Sequence, residues 1–489
     1  MSGKEDEDLS LIISSTLDHF GYSREMISFR SKSYDNIGNL IQKKKVGNEP
    51  VTVMCVGSAG EGVELSDSDL DLMLLTDTIV CTDQAMENEH LNILKTDYTN
   101  SCPGYTKVVS THLVMDTITG SACYNSSTNV SPEEHPYISS RVFKNMIYQN
   151  TDKFLPLLTP FCTITSNGPA ATSQTFNSKK IDWVFSVSYF GNTILSKWAN
   201  RKRFNNWPSN AMIKQISEME GYIVPVGNKE SENQGLEWRN CYTTAEMAMV
   251  RNLTDAQLKL YILLKMVVGS IIKPECKEIT SYVVKNVLFW VIEVTPAYQF
   301  TPKLLVKLVK KCLYFIKYCL ENNHIPNYMI PERNLMCFSF HGKDKLPVIH
   351  FISGLLEDGG SLLQRIPKLY TCMFLECTSP KRVEQYAKWR EQVEKKLSSP
   401  LQTGIKMIDL TNVHDNHYIY CSENGSSVTI ESGSFMILQE NIGQQSLPMA
   451  TIRECINMIL PDAHHLLMSG HLVQYFELLK ERLKLLKPL

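Results

Sequence analysis

The chain has 489 residues, 43% hydrophobic and 20% charged, with 49 Lys and Arg against 51 Asp and Glu. At roughly 100–200 residues per unit this is a globular protein of two to four units, not a small disulfide-stapled scaffold. A formal net charge of −2 excludes a wholly basic nucleic-acid coat protein but leaves room for a local basic face. No window reaches the roughly 18 apolar residues of a membrane helix. The best stretches, Tyr261–Ile272 and Val287–Val294, are short and interrupted by Lys265 or Glu293, so no membrane insertion is expected. Met1–Ser10 is acidic and polar, unlike a secretory signal. The 14 cysteines are scattered singly with no close Cys-x-x-Cys pair, which points to free thiols and a cytoplasmic location. The sequons at Asn125 and Asn424 are read as chance triplets.

In chain order, residues 8–45 carry one helical periodicity (Leu9, Ile12, Ile13, Leu17, Phe20, Ile37, Leu40, Ile41) closed by Lys43, Lys44 and Lys45. Val51–Val56 reads as a buried strand ending at Gly57, and Leu70–Leu75 as a second strand. Short strands and polar loops fill 76–135, residues 137–160 read as helical, and Ile181–Tyr189 as another strand. From about 205 helices dominate: Thr243–Val250, Asp255–Ile272, Thr280–Val294 and Thr301–Leu320, the last with Thr301 as N-cap and Pro302 at the first position. Beyond 346, helical stretches are expected near 380–397 and 462–486, with a strand-like middle at 405–440. This gives three regions, 1–205, 206–345 and 346–489, the last without an assigned role.

The chemistry concentrates in Val56-Gly57-Ser58-Ala59-Gly60-Glu61-Gly62-Val63-Glu64-Leu65-Ser66-Asp67-Ser68-Asp69-Leu70-Asp71-Leu72-Met73. Strand alternation puts Asp69 and Asp71 on one face, with Leu70 and Leu72 packed behind. Two carboxylates on one face repel unless a cation lies between them. Hard oxygen donors suit Mg²⁺ or Mn²⁺, which also bind phosphates. The Gly57-Ser58 turn can offer N–H groups and a hydroxyl to a triphosphate. Glu61, Glu64 and Asp67 read as acids of a solvated loop. A two-metal site usually needs a third carboxylate on a neighbouring strand. Asp182, at the start of an apolar strand, is the candidate.

Val-Gly-Ser, a ten-residue step, then Asp-Leu-Asp-Leu resembles the nucleotidyltransferase superfamily. Further blocks resemble one branch of it, cyclic GMP-AMP synthase with its cGAS-like receptors and the male-abnormal family. They are Gly168-Pro169-Ala170, Asn206-Trp207-Pro208, Trp238-Arg239 with Tyr242 and Glu246, Leu263-Leu264-Lys265, Ser281-Tyr282-Val283-Val284-Lys285, and Asn327 to Leu335. The resemblance spans about residues 10–340. It implies an α+β, bilobed nucleotidyltransferase fold: a mixed β-sheet core with a long N-terminal helix, and a helical lobe completing the nucleotide pocket. It implies Asp69, Asp71 and Asp182 as metal ligands, Ser58 as a triphosphate contact, and Arg239, Lys265, Ser281 and Tyr282 as nucleotide-pocket residues.

The implied activity is metal-dependent synthesis of a cyclic dinucleotide from nucleoside triphosphates (ATP, GTP or another), with duplex nucleic acid as activator in innate immune sensing. The implied alternative is an inactive male-abnormal-type scaffold that binds nucleotide or protein. Ala245 to Leu260 contains no His and no Cys, so no zinc thumb is expected, which favours double-stranded RNA over DNA. A basic groove is expected from Lys43–Lys45 with Lys197, Arg201, Lys202 and Arg203, while Lys303, Lys307, Lys310 and Lys311 read as a solvated helix stripe.

Overall fold

The computed structural model describes residues 3–395 apart from 43–44, 47–48, 66–67, 85–91, 111–136, 150–162, 168–169, 175–179, 192, 337–344, 382, 389 and 393. The expected elements at 405–440 and 462–486 lie outside the described residues, as do Lys43 and Lys44.

The first helical stretch is two helices, α1 (Gly3–Leu17) and α2 (Arg24–Gln42), separated by a π-turn at Asp18–Tyr22. The break has a local cause. Gly21 sits at φ 109°, left-handed backbone that a side chain disfavours and that no helix continues through. The stretch also ends earlier than its periodicity implies, because Lys45 already belongs to β1 (Lys45–Val46).

The strands follow as β2 (Glu49–Val56), β3 (Leu70–Thr82), β4 (Asn92–Asp97), β5 (Tyr105–Ser110), β6 (Thr163–Asn167), β7 (Ala170–Gln174), β8 (Lys180–Phe190), β9 (Gly221–Val224) and β10 (Glu237–Cys241). A single helical turn, α3 (Gly57–Gly60), follows β2, and α4 (Ser140–Gln149) follows β5. All ten strands join one mixed sheet in the order β1-β2-β3-β4-β5-β10-β9-β8-β7-β6. A second, parallel pairing of β3 with β8 closes β3, β4, β5, β10, β9 and β8 into a ring. Ile79, Cys81, Leu94, Val108, Val187, Tyr189, Ile223 and Trp238 form its apolar core.

The helical body comprises α5 (Thr193–Asn200), α6 (Asn210–Ser217), α7 (Thr243–Arg251), α8 (Asp255–Val267), α9 (Ser281–Val294), α10 (Leu305–Glu321), α11 (Lys345–Asp358) and α12 (Pro367–Thr378). Its centre is α8, buried from Ala256 to Val267 and mostly apolar around its circumference, with Gln257, Lys259 and Lys265 buried among the apolar residues. Thr254 and Gln257 form a capping box at its start, and the Thr280 hydroxyl caps α9. Thr301 does not cap α10. Pro302–Leu304 form a 3-10 turn, and the α-helix begins at Leu305. The described part of 346–489 shares the main core: Ile352, Leu355, Leu363 and Leu369 pack in one cluster with the residues of α8, α9 and α10. Among the described residues no helix is long and apolar enough to cross a membrane.

Candidate active site

The sheet brings the two central acids together. Asp71 on β3 is the register partner of Asp182 on β8, and the two strands run parallel. Matched residues of neighbouring strands present side chains to one face. Asp71 also faces Val56 at the end of β2, and Asp182 faces Thr172 on β7. The Thr172 hydroxyl donates to Asp182 Oδ1 at 2.6 Å, which orients that carboxylate. Gly57 turns the chain directly against Asp71. It lies at φ 64°, and a Cβ there would stand 2.1 Å from Asp71 Oδ2, so only glycine fits. Asp69 precedes β3 and is exposed.

Burial, then the neighbouring Asp182, push the Asp71 carboxyl up to about 7; Lys285 opposes them, and Asp69 and Glu61 add to the rise. Such repulsion between hard oxygen donors is what a divalent cation relieves, so the donor chemistry of the acids suits Mg²⁺ or Mn²⁺. Their arrangement is open: among the described residues no group of three or more His, Cys, Asp or Glu is gathered tightly enough to hold an ion.

The turn from Gly57 to Glu64 is clamped carbonyl by carbonyl. The Gly60 carbonyl accepts from Ser31 Oγ at 2.9 Å and Arg251 Nη2 at 2.8 Å. That of Gly62 accepts from Arg30 Nη1 at 3.3 Å, and that of Val63 from Lys265 Nζ at 2.7 Å. The Glu64 carbonyl accepts from Tyr22 Oη at 3.0 Å. Within the turn, the N–H groups of Glu61, Gly62 and Val63 bond the carbonyls of Gly57, Ala59 and Ser58.

Glu61 is not a solvated loop acid. It is fully buried, with Lys285 Nζ 2.6 Å from Oε1 and Tyr261 Oη donating to Oε2 at 3.2 Å. A carboxylate at that depth needs a paired cation, which the sequence segment alone does not display. Lys285 also reaches Glu246 Oε2 at 3.2 Å, and Tyr282 Oη donates to Glu246 Oε1 at 2.9 Å while accepting from Asn327 Nδ2 at 2.9 Å. Glu64 likewise has a partner, since Tyr34 Oη donates to its carboxylate at 2.6 Å. Asp67 lies outside the described residues.

The remaining expected pocket residues divide. Tyr282 and Arg239 are half-buried. Ser281 is exposed at the first turn of α9, and Ser58 is half-buried. Lys265 is 6% exposed, and in this conformation its ammonium is engaged by the Val63 carbonyl rather than presented to a pocket.

Two of the arginines expected to line a basic groove are engaged within the fold. Arg201 makes a bidentate pair with Glu293, at 2.8 and 2.6 Å, and lies over the Trp290 and Tyr328 rings. Arg203 donates to the carbonyls of Trp198, Ala199 and Arg201 and covers the Trp198 ring. Both point inward because Glu293 is fully buried and requires a cation. Lys197 and Lys202 are the exposed members of that cluster, and of Lys43–Lys45 only the backbone of Lys45 is described. Of the expected lysine stripe, Lys303 in the 3-10 turn and Lys307 on α10 are exposed. Lys310 instead pairs with Asp6 at 2.7 Å, and Lys311 donates to the Thr295 hydroxyl at 2.7 Å.

Sequence reasoning gave no role at this turn to Lys285, Tyr261 and Arg30, and read Glu61 as a loop acid. One signal was present: Lys285 follows Tyr282 by three residues on a helix, so the two share a face.

Residues 247–346 match the family model described as the Mab-21 protein HhH/H2TH-like domain. The matched stretch contains Lys265, Ser281, Tyr282 and Lys285, the helical side of the site. This supports the Mab-21 and cGAS-like nucleotidyltransferase family and, at that coarse level, a transferase. No curated protein matches the chain.

Proposed function

We propose that the protein is a metal-dependent nucleotidyltransferase that joins nucleoside triphosphates into a cyclic dinucleotide, acting in the cytosol as an innate immune sensor under the control of a duplex nucleic acid. The observation that carries the reading is the register pairing of Asp71 with Asp182, beside the Gly57-Ser58 turn. Asp69, Asp71 and Asp182 would hold Mg²⁺ or Mn²⁺, which when bound supplies charge neutralisation for the carboxylates and the triphosphate. The Ser58 hydroxyl would bind the phosphate tail. Tyr282 and Arg239 would flank the base, a ring contact worth about 1–3 kcal/mol in nucleic-acid sites.

Asp182, oriented by Thr172, accepts the proton of the attacking ribose hydroxyl. That oxygen bonds to the α-phosphorus of the second nucleotide, the bond to the β-phosphate bridge breaks, and pyrophosphate leaves. A second round closes the ring. Support for an activating duplex rests on exposed Lys197 and Lys202, and the preference for double-stranded RNA over DNA on the lack of His and Cys from Ala245 to Leu260.

The test is incubation with all four ribonucleotides, Mg²⁺ or Mn²⁺, and double-stranded RNA or DNA, read by mass. Asp69→Asn with Asp71→Asn abolishes product without unfolding the protein. Product from that double variant would overturn the assignment. The second reading, a nucleotide- or protein-binding scaffold, is favoured by the open arrangement of the acids. It predicts no product with any ligand.

A further inference from the structure

The segment at 383–395, to which the sequence assigns no role, reaches the turn that carries Ser58. Arg30 on α2 is 4% exposed. One of its nitrogens holds the Gly62 carbonyl, and another donates to the Gly21 carbonyl. Its remaining donors go to the carboxylate of Glu394, Nη2 at 3.3 Å from Oε2 and Nε to Oε1. Glu394 Oε2 also accepts from Arg390 Nη1 at 2.5 Å, and Arg390 is 2% exposed. One carboxylate from late in the chain thus lies between two buried guanidinium groups.

The glycines on either side show how closely this cluster is seated. A Cβ on Gly21, at the break between α1 and α2, would stand 2.7 Å from Arg390 Nη1 and 3.0 Å from Arg30 Nη2. A Cβ on Gly62 would stand 2.2 Å from the Ile27 carbonyl. The break therefore makes the seat for Arg390, and α2 lies flush against the turn with Arg30 as the tie. Around the cluster, the Phe20 and Tyr386 rings meet at 5.6 Å, Lys395 pairs with Glu25 at 2.9 Å, and Glu376 accepts from Ser15 Oγ at 2.6 Å.

We propose that Glu394 is a positioning residue for the candidate active site: it holds Arg30 in place, and Arg30 in turn fixes the Gly62 carbonyl and the turn bearing Gly57, Ser58 and Glu61. A buried guanidinium left with carbonyl partners alone is an uncompensated charge. Without Glu394 it turns towards water, and the Gly62 carbonyl loses its donor. The consequence for catalysis rests on the nucleotidyltransferase reading; the consequence for the turn does not.

Glu394→Ala in the full chain tests both. Hydrogen–deuterium exchange of the amides at 57–64 rises about tenfold, the loss of roughly one hydrogen bond's worth of protection. Exchange at 221–224 in β9 stays unchanged, and Glu394→Gln, which keeps an acceptor of the same shape, falls between. In an active enzyme the alanine variant raises KM for nucleoside triphosphate more than it lowers kcat, and the glutamine variant recovers part of the loss. Should the alanine variant not fold, Glu394→Gln carries the same readouts. Faster exchange at 57–64 in a protein whose wild type makes no product leaves the positioning role standing and removes the activity. Native exchange at 57–64, or an equal rise at 221–224, overturns the positioning role.

Discussion

Lys285→Met removes the cation at the centre of the buried network joining the Gly57–Glu64 turn to α7 and α9. The side chains of Lys285, Glu61 and Glu246 are 7%, 0% and 6% exposed, so water cannot take over the lost pairing. Burial alone would lower the Lys285 pKa; Glu61 and Glu246 outweigh it and hold it well above the ordinary lysine value. Breaking a buried pair by removing one partner costs about 3–5 kcal/mol. The upper half of that range is expected, because two carboxylates lose their partner. Glu61→Gln costs less, since Lys285 keeps Glu246. The double variant then costs less than the sum of the singles, by about 1–3 kcal/mol. The measurement is chemical denaturation followed by circular dichroism, comparing midpoints at unchanged slope. A Lys285→Met cost under about 1 kcal/mol, or single effects that add within about 0.5 kcal/mol, would refute the network.

Two further substitutions address residues whose placement departs from the sequence reading. Burial lowers the Lys265 pKa from 10.5 to about 8, so between those values the unfolded chain binds more protons and stability rises with pH. The contribution is full above the unfolded value and is lost as pH falls through about 8; it amounts to about 3 kcal/mol. Subtracting the pH–stability curve of Lys265→Met from that of the wild type isolates this rise, and a flat difference rejects the buried placement. Arg201→Met strips the fully buried Glu293 of its bidentate partner and costs about 3–5 kcal/mol in a denaturation midpoint. Lys202→Ala stays within about 0.5 kcal/mol. It also lowers the salt slope of any duplex binding by about one. The reverse pattern would put Arg201 on a nucleic-acid face.

What was legible in the sequence was local. Gly57-Ser58 announces its own turn and Asp71 its strand, but β3 starts only at Leu70, so strand alternation does not reach Asp69. The apolar strand at Ile181–Tyr189 marked Asp182 as an acid needing a reason. Its exact alignment with Asp71 was not legible, because register between distant strands depends on the whole ring. Glu61 was misread because a glutamate between two glycines looks solvated, and its cation lies far away on α9. Arg201 was misread for the matching reason. The clue was Glu293, the acid interrupting the apolar run Val287–Val294, since a buried acid demands a buried base. The break at Gly21 was hidden by apolar periodicity, which continues on both sides of it.

The positions misread from sequence share one logic. A tight turn of small residues folds its carbonyls inward, and each buried carbonyl needs a donor. Short side chains within the turn cannot supply them, so donors come from outside: Ser31 and Arg30 on α2, Tyr22 at the helix break, Arg251 at the end of α7, and Lys265 on α8. Long cationic side chains reach furthest, but each imports a charge that burial then forces the fold to balance. Arg30, which is buried, draws in Glu394, whereas Arg251 stays exposed and pairs with Asp35 at 2.7 Å in solvent. A basic residue in a chain of this kind therefore has two competing destinations, a phosphate outside or a carbonyl or carboxylate inside. Exposure divides them here: Lys197 and Lys202 remain available to a polyanion, while Arg30, Lys265, Arg201 and Arg203 are committed to the interior.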